Sequence, residues 1–498
     1  MLLGKDDKMK VVLFAINGSW AHSNLAIRCL REPLERRGFE VVLLERTLRD
    51  RTAHTLEALW RENGDVYGFS CYIWNVREML SLAKDLHQLH PSCKIVFGGP
   101  EASFATERFE KCDFVDCVIC GEGEKAFPLL CEQIRNGVPF ARVWKAEKSD
   151  DVMKSEGILY REGEETGGIV YYESSRGCPY SCAYCLSSAS VGVRMKQTEQ
   201  VLTDLLGFEK ISCKTVKFVD RTFNADIERA NRIWRALLDE RYTKCYHFEV
   251  CASLLNEESF EILACFPKGK IQLEFGLQST NPQTLAAVSR HIRPDEVIMA
   301  VRRIYEMRNI HVHLDLIAGL PYESYERFGR SFDAAYGSCD MLQLGFLKLL
   351  YGTRLREHME EYGYVCLSEA PYTVLQSKWM SYAEMQRLSR IAEIRERYDE
   401  SCRFVHTVWY VMRRVSSPFQ FWEGLSLYLE AKDARPIQKI SQPDAYRYLL
   451  TYVQERYPDI DALALKEMLC ADFSEFENKN PPWFLLTETH RNCGSVTK

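Results

Sequence analysis

The sequence predicts an α/β protein with three parts: a Rossmann-like doubly wound domain, a partial β/α barrel of six strands, and a helical C-terminal domain. Short β-branched runs alternate with amphipathic segments up to about residue 133. Strand-like runs then recur at intervals of roughly 25 to 40 residues, the spacing of a β/α barrel. After about residue 356 the strand signals fade and long charged amphipathic segments follow.

The first domain, residues 1–137, contains the strand-like runs KVVLFAI, EVVLLER, DVYGFSCYIW, KIVFGG and FVDCVIC. Helical periodicity or a glycine-rich break follows these runs, as in the βαβ units of a parallel sheet. Residues 138–169 are polar and weakly periodic, which indicates a linker or a peripheral hairpin.

The barrel, residues 170–355, is predicted from the runs VYYESS, TVKFVD, YHFEVCA, IQLEFGL, HVHLDLIAGL and MLQLGFL. A complete eight-stranded barrel takes about 250 residues, so this shorter region favours a partial barrel. Residues 356–498 contain segments such as KWMSYAEMQRLSRIAEIRERYDES, whose periodicity predicts helices.

Composition excludes several classes of protein. The formal net charge is −6, and lysine and arginine are scattered, so no electrostatic footprint for nucleic acid or an anionic membrane is visible. No apolar run reaches the ~20 residues of a membrane span, and the first ten residues do not resemble a signal peptide. We therefore expect a cytoplasmic protein, in which clustered members of the 19 cysteines are metal ligands or catalytic groups.

The stretch SSRGCPYSCAYCLSS contains three clustered thiols, Cys178, Cys182 and Cys185. A structural zinc site usually has four ligands in two pairs, and no second pair follows at finger-like spacing. An iron–sulfur cube can be held by three thiolates from one loop, which leaves one iron without a protein ligand. A second set, Cys112, Cys117 and Cys120, lies in and before an apolar strand and is predicted to be small buried side chains.

The C-x3-C-x2-C spacing, with Tyr184 before the last cysteine, resembles the signature of the radical S-adenosylmethionine (SAM) enzymes. The resemblance implies that the three thiolates hold a 4Fe-4S cluster and that its open iron binds the amino and carboxylate groups of SAM. Reductive cleavage of SAM would give a 5′-deoxyadenosyl radical that abstracts hydrogen from substrate. Tyr184 would lie against the adenine, and the electron donor would be of flavodoxin or ferredoxin type.

Further SAM contacts implied by the resemblance stand at the ends of barrel strands. They are Asp220, Arg221, Glu274, Gln278, Ser279, Ile317 and Gly319. Asp220 is the implied partner of the SAM ammonium, although the family usually carries Gly-Gly-Glu there and this sequence departs from it. The segment LEFGLQS is expected at the ribose and carboxylate, and DLIAGLPYE at the adenine.

A doubly wound domain before such a barrel resembles the cobalamin-binding module of one branch of the superfamily. The stretches that carry the resemblance are NGSWAHSN, GFSCYIWN, GGPEAS and GEGE. Glycines at strand ends allow a bulky ligand to approach the backbone in the crevice outside the sheet. The implied cobalamin contacts are Asn17, Trp20, His22, Ser70, Gly98, Gly99, Pro100, Glu101, Gly121, Glu122, Gly123 and Glu124.

The Asp-x-His-x-x-Gly motif that supplies a cobalt-binding histidine in many cobalamin proteins is missing from this sequence. His22 follows the first strand and could approach the corrin, or it could cap the helix that begins near Asn24. We expect cobalamin to bind without a lower protein histidine.

The implied function is that of a cobalamin-dependent radical SAM enzyme that methylates an unactivated carbon of a small molecule or metabolite. Three alternatives stay open: cyclisation or oxidation with the same cofactors and no methyl transfer, a tRNA methylthiotransferase-like enzyme, and a non-catalytic cobalamin-binding protein. A methylthiotransferase predicts three further cluster cysteines in the first domain and a basic β-rich C-terminal module. This sequence shows neither at convincing spacing.

Overall fold

The computed structural model describes residues 8–149, 153, 157–189, 192–433, 435–477 and 480–486. No helix in this part of the chain combines the length and the apolar character needed to cross a membrane.

The first domain is a parallel sheet of six strands in the order β2-β1-β3-β4-β5-β6. The strands are β1 Lys10–Asn17, β2 Glu40–Thr47, β3 Val66–Ser70, β4 Lys94–Gly98, β5 Cys117–Cys120 and β6 Val143–Lys145. The helices are α1 Leu25–Glu35, α2 Thr52–Glu62, α3 Val76–Leu89, α4 Pro100–Phe104, α5 Thr106–Glu110 and α6 Gly123–Arg135. The strand order reverses between β1 and β3, which opens a crevice at their carboxyl ends.

The turn after β4 requires a glycine. Gly99 has φ +99°, and a Cβ atom placed there would stand 2.5 Å from the carbonyl oxygen of Cys71. This close approach holds the β4 turn against the end of β3, because Cys71 N–H also donates to Gly98 O at 2.8 Å. The local sequence therefore fixes the edge of the sheet that faces the crevice.

The second domain is a parallel sheet whose strands follow chain order, β7-β10-β11-β12-β13-β14, as expected for an open barrel. Its strands are β7 Ile169–Tyr172, β10 Thr215–Phe218, β11 Cys245–Val250, β12 Ile271–Gln278, β13 His311–Ala318 and β14 Met341–Phe346. The hairpin of β8 Ser175–Gly177 and β9 Val193–Met195 follows β7. The helices are α7 Thr198–Gly207, α8 Ile227–Ala236, α9 Glu257–Ala264, α10 Pro282–Ala287, α11 Pro294–Glu306, α12 Tyr325–Ala335 and α13 Arg354–Glu357.

Strands β7, β10, β12 and β13 of the second sheet alternate between buried and partly exposed residues. In β12 and β13 every second residue is a buried apolar side chain, such as Leu273 or Leu314, in the core formed with the helices. The residues between them are only partly buried and include Glu274, His313 and Asp315. Because successive side chains point to opposite faces, the inner face of the barrel is polar.

The C-terminal part begins with a two-stranded hairpin and continues as helices. Its elements are β15 Val365–Cys366, β16 Val374–Gln376, α14 Tyr382–Arg395, α15 Val405–Met412, α16 Pro418–Lys432, α17 Gln442–Arg456 and α18 Ala462–Glu477. It packs on the barrel, where Asp333 at the end of α12 accepts hydrogen bonds from Ser417 Oγ and Phe419 N at the start of α16.

The predicted fold class is confirmed, including the six strands of the barrel and the helical C-terminal part. Three features were not predicted, and the first is the β8–β9 hairpin that follows β7. Strand β6 lies within residues 138–169, the range expected to be a linker, and pairs with β5 in the first sheet. The hairpin β15–β16 interrupts the helical pattern just after the barrel.

Candidate functional site

A cavity of about 740 Å³ lies between the two sheets. It is bounded by the carboxyl ends of β1, β3, β4 and β5 on one side and by residues that follow β7 and β10 on the other. Nine predicted cobalamin contacts line it: Asn17, His22, Ser70, Gly98, Gly99, Gly121, Glu122, Gly123 and Glu124. The sequence thus identified most of the crevice edge of the first sheet.

Three of the predicted cobalamin contacts lie elsewhere. Trp20 is 58% exposed outside the cavity lining, and Pro100 faces a neighbouring depression with Ser103 and Phe104. Glu101 is buried and accepts a hydrogen bond of 2.8 Å from the Tyr372 hydroxyl in the C-terminal part. Glu101 therefore joins the first domain to the C-terminal part, which a motif at one strand end cannot reveal.

Aromatic side chains that the sequence did not single out also line the cavity. Tyr72 and Trp74 stack with ring centroids 4.3 Å apart, and the Trp74 indole N–H donates to Ile16 O at 3.0 Å. From the barrel side, Tyr171 hydrogen-bonds His22 Nδ1 at 2.7 Å. For Tyr72 and Trp74 the sequence signal was the quoted stretch GFSCYIWN, in which aromatic residues follow a strand end, and Tyr171 belongs to the predicted strand run VYYESS.

Arg176 joins the two domains at the cavity wall. Its guanidinium contacts the carboxylates of Glu124 at 2.7 Å, Glu173 at 2.6 Å and Glu122 at 3.7 Å, and its side chain is only 20% exposed. Burial opposes the charge of Arg176, but the hydrogen bonds and negative charges of Glu173 and Glu124 outweigh it and raise the pKa of Arg176. The arginine therefore keeps three acidic groups of both domains close together.

Replacing Arg176 with methionine should lower the free energy of unfolding by about 3 kcal/mol, because it leaves the three carboxylates without their common cation. Urea unfolding followed by tryptophan fluorescence measures this change. Arg241→Met is the matched control, since Arg241 is exposed and its ion-pair partner is Asp239, two residues away in the chain. Equal stability of the two variants would contradict the role of Arg176.

The cysteine loop lies directly after β8, next to the cavity, and is held from two sides. Ala183 N–H donates to Val288 O at 2.9 Å, and Ala183 O accepts from Leu355 N at 2.9 Å. Cys182 is buried, whereas Cys178 and Cys185 are partly exposed. Among the described residues, no three His, Cys, Asp or Glu side chains stand close enough to share one metal ion. In an iron–sulfur cube, by contrast, each thiolate binds a different iron.

Arg290 is a buried cation beside this loop that the sequence reasoning missed. Its Nη1 donates to the Cys182 sulfur at 3.7 Å, and its Nη2 donates to Gly276 O. The arginine stands 105 residues beyond Cys185 in the chain, so no local motif connects it with the thiols. A guanidinium in this place offsets the negative charge of thiolates and can also pair with a carboxylate.

The predicted SAM residues divide into those near open space and those used in packing. Arg221 lines the interdomain cavity, and Tyr184 is partly buried within the cysteine loop, where burial raises the pKa of its hydroxyl. Gln278, with φ +70°, has a buried Oε1 without a hydrogen-bond partner in the described structure. Glu274 and Ile317 lie on the inner face of the barrel.

Three predicted SAM contacts are placed in the protein interior. Asp220 is fully buried, and its carboxylate accepts hydrogen bonds from Ser174 N–H at 2.8 Å and from the hydroxyls of Ser174 and Ser175. The Ser279 hydroxyl donates to Glu323 at 2.7 Å. The carbonyl of Gly319 accepts from the Tyr364 hydroxyl at 2.9 Å. These contacts fix loops around the site and leave the three residues outside the cavity lining.

The second cysteine set follows the prediction of buried side chains only in part, because Cys112 and Cys120 are partly exposed and pack against the edge of the core. Cys117 is buried, and its thiol lies 3.2 Å from Ala141 O. The Cys112 sulfur lies 3.4 Å from Arg108 O, and Cys120 contacts Thr106 at 3.5 Å. The three thiols therefore have separate local partners.

Comparisons with known families decide the identity of both domains. A family model described as the B12 binding domain matches residues 10–131, and one described as the radical SAM superfamily matches residues 172–335. The chain belongs to the radical SAM proteins that carry a B12-binding domain. A third family, Protein of unknown function (DUF4080), matches residues 360–496.

Several relatives of this radical SAM protein are named methyltransferases. It is 28% identical over 309 residues to 2-(S-pantetheinyl)-carbapenam-3-carboxylate methyltransferase of Streptantibioticus cattleyicolor. The aligned region covers 55% of this chain and 44% of that protein. It is 28% identical over 263 residues to hopanoid C-3 methylase of Methylococcus capsulatus, and the aligned region covers 48% of this chain and 50% of that protein. The chain thus spans about half the length of these relatives.

Two solved structures share the fold. OxsB, a cobalamin-dependent S-adenosylmethionine radical enzyme with aqua-cobalamin bound, superposes with a TM-score of 0.62 at 14% identity, covering 95% of this chain and 85% of OxsB. TsrM from Kitasatospora setae, a radical S-adenosylmethionine methyltransferase with cobalamin and a [4Fe-4S] cluster bound, superposes with a TM-score of 0.60 at 18% identity. This superposition covers 73% of this chain and 76% of TsrM.

The residues of this B12-binding radical SAM protein fit its cofactors, which are cobalamin, SAM and a 4Fe-4S cluster. Three thiols of one loop with a neighbouring guanidinium are a donor set for a cube with one open iron. On the other side, Gly98 carries no side chain into the cavity, and a Cβ atom there would meet nothing nearer than 4.0 Å. The wall of the B12-binding domain is thus shaped for a bulky ligand.

Proposed function

We propose that the protein is a cobalamin-dependent radical SAM methyltransferase that methylates an unactivated carbon. The observation that carries the proposal is the shared cavity, because the strand ends of the B12-binding domain face the radical SAM domain beside the cysteine loop. A methyl group and a radical generated in one cavity need not diffuse between proteins. Relatives named methyltransferases support the same reaction.

The chain's own residues position the cofactors and the substrate. When bound, the cluster with SAM supplies a radical that abstracts hydrogen, and cobalamin supplies the methyl group. Cys178, Cys182 and Cys185 would hold the cluster, and the loop is kept in place by Val288 and Leu355. Arg290 would balance the charge of the thiolates and pair with the SAM carboxylate.

The decisive experiment is anaerobic. The full chain is reconstituted with iron, sulfide and hydroxocobalamin, supplied with SAM and a strong reductant, and assayed for 5′-deoxyadenosine and S-adenosylhomocysteine. Formation of both products supports methyl transfer. Deoxyadenosine without S-adenosylhomocysteine would favour cyclisation or oxidation instead, and absence of deoxyadenosine would contradict the radical assignment.

A flavodoxin or ferredoxin-type protein is the proposed electron donor, because one electron must reach the cluster for each cleavage of SAM. Such a donor should replace the chemical reductant in the same assay. Formation of deoxyadenosine only with the chemical reductant would argue against this class of partner.

Replacing Arg290 with methionine should shift the midpoint potential of the cluster to a more negative value by tens of millivolts. Removing a cation near the cluster makes it harder to add an electron. One unit charge at about 4 Å contributes about 4 kcal/mol in an effective dielectric of about 20, and spreading of the added electron over the whole cluster lowers this to about 1 to 2 kcal/mol. Redox titration followed by electron paramagnetic resonance measures the shift. Arg293→Met is the control, because Arg293 is an exposed arginine three residues further along the chain. Equal midpoint potentials in the two variants would refute the prediction.

A further inference from the structure

The chain segment that follows the last barrel strand contacts the walls of both cofactor sites, and we call residues 347–357 the connecting segment. Its Leu355 N–H donates to Ala183 O of the cysteine loop at 2.9 Å. Three residues earlier, Gly352 has φ +83°, and a Cβ atom there would stand 2.2 Å from the ring of Phe104. Phe104 belongs to α4, which begins directly after the β4 turn of the B12-binding domain. The connecting segment therefore lies between the two walls.

The first hairpin of the C-terminal part is hydrogen-bonded to the connecting segment. Leu349 N–H donates to Tyr372 O at 3.1 Å, and Val374 N–H donates to Leu347 O at 2.8 Å. Tyr372 lies between β15 and β16, and its φ of +57° is a strained value for a residue with a side chain. Such strain persists only where the surrounding structure holds the residue in place. The hairpin and the connecting segment thus form one hydrogen-bonded unit.

Tyr372 joins this unit to the first domain. Its side chain is buried, and its hydroxyl donates to Glu101 Oε2 at 2.8 Å. Two cations stand beside the pair: Arg108 Nη1 lies 3.4 Å from the Tyr372 hydroxyl, and the Arg356 guanidinium lies 5.1 Å from the centre of the Tyr372 ring. Groups of the first domain and of the connecting segment therefore meet around one buried hydroxyl.

Glu101 connects the Tyr372 hydroxyl with the cobalamin wall. It stands two residues after Gly99, which lines the cavity, and its N–H donates to Cys71 O, just after β3, at 3.3 Å. Burial raises the pKa of Glu101, and the hydrogen bond from Tyr372, with the charges of the two arginines, offsets part of this effect. A buried carboxylate depends on such partners to stay ionised. Removing the hydroxyl therefore acts on the turn that faces the cavity.

We propose that the C-terminal part sets the position of cobalamin relative to the iron–sulfur cluster, with Tyr372 as a positioning residue that acts through Glu101. The connecting segment holds the cysteine loop, and the hairpin on it holds the β4 turn, so one unit fixes both walls. The inference rests on the proposed function, because it assigns cobalamin and the cluster to one substrate. It gives the family of unknown function, matched at residues 360–496, a role in the reaction.

The spacing of the cofactors matters because hydrogen abstraction and methyl delivery have to reach the same carbon. A misplacement of about 1 Å can cost about a hundredfold in rate. Tyr372→Phe keeps the ring and removes one oxygen atom, so the buried carboxylate of Glu101 loses its donor. We expect the β4 turn to shift as a result, and the cobalamin that rests on it to shift as well.

The experiment uses the full chain, reconstituted anaerobically with its cluster. Titration with hydroxocobalamin, followed by corrin absorbance, gives the dissociation constant, which should rise about tenfold in Tyr372→Phe, as for one lost hydrogen bond to a charged group. Electron paramagnetic resonance of the reduced cluster and cob(II)alamin, at saturating cobalamin, gives the magnetic coupling of the two spins. Because this coupling depends steeply on distance, it should differ between Tyr372→Phe and the unaltered protein.

Tyr452→Phe is the matched control for a purely structural effect. Tyr452 is also buried, and its hydroxyl donates to Phe421 O at 3.0 Å inside the C-terminal part. Both variants lose one buried hydrogen bond, so both should lower the melting temperature of the cofactor-free protein. Cobalamin affinity and spin coupling should change in Tyr372→Phe alone.

Glu101→Gln tests the route through which Tyr372 acts. An uncharged amide costs less to bury without that donor than a carboxylate does. Adding Tyr372→Phe to Glu101→Gln should therefore weaken cobalamin binding by less than about threefold, in contrast to its effect on the unaltered protein.

Three results would overturn the proposal: cobalamin affinity and spin coupling both unchanged in Tyr372→Phe, equal changes in Tyr452→Phe, or the full loss of affinity when Tyr372→Phe is added to Glu101→Gln. Deoxyadenosine and S-adenosylhomocysteine are measured separately. If the unaltered protein transfers no methyl group while affinity and spin coupling behave as expected, the proposed function fails and the positioning role stands.

Discussion

Cys182→Ala protein, reconstituted anaerobically, should form no 5′-deoxyadenosine above background and should retain little iron and sulfide. Cys182 is the buried member of the three thiols and receives the contact from Arg290. Removing it leaves two thiolates for a cluster that needs three, because the fourth iron must stay open for SAM. Iron and sulfide analysis and chromatographic quantification of deoxyadenosine measure the two effects.

The effect must be separated from a general loss of structure. Replacing a cysteine with alanine removes one small atom, so the variant should fold, and its cobalamin absorbance should persist. Cys265→Ala is the matched control, since Cys265 is an exposed thiol outside the loop. If Cys182→Ala protein still formed deoxyadenosine, the cysteine loop would not be the site that cleaves SAM.

Features contained in one contiguous stretch were predictable from sequence. The cysteine loop, the glycine-ended strands and the six barrel strands each have a local pattern, and the structure places them as expected. Contacts between distant segments were not predictable. Asp220 receives its hydrogen bonds from serines 45 and 46 residues away, and Arg290 reaches a thiol 108 residues away.

The polar inner face of the barrel falls between these two cases. Alternation of ionisable and apolar residues is visible in YHFEVCA and HVHLDLIAGL, yet alternation alone is equally typical of a strand with one face in water. Only the strand order shows that this face is enclosed by neighbouring strands. The pairing of Lys217 with Glu274 depends on the register between β10, β11 and β12 and has no signature in the sequence.

Gly98→Phe protein should fold, should still reduce SAM to deoxyadenosine, and should fail to bind cobalamin. Gly98 ends β4 at the cavity wall, and a Cβ atom there would meet nothing nearer than Ile119 O at 4.0 Å. A phenylalanine side chain therefore enters the cavity without disturbing the sheet and occupies space that the corrin needs. Corrin absorbance after gel filtration and the deoxyadenosine assay measure the two expectations.

The neighbouring glycine gives the control for this experiment. Gly99 has φ +99° and its Cβ position collides with the backbone of Cys71, so Gly99→Ala should destabilise the fold by about 2 kcal/mol or more. Gly98→Ala, by contrast, adds one methyl group to open space and should retain both cobalamin and stability. Cobalamin binding by Gly98→Phe at the level of Gly98→Ala would place the corrin outside this cavity, because the two variants differ only in how far the side chain extends into it.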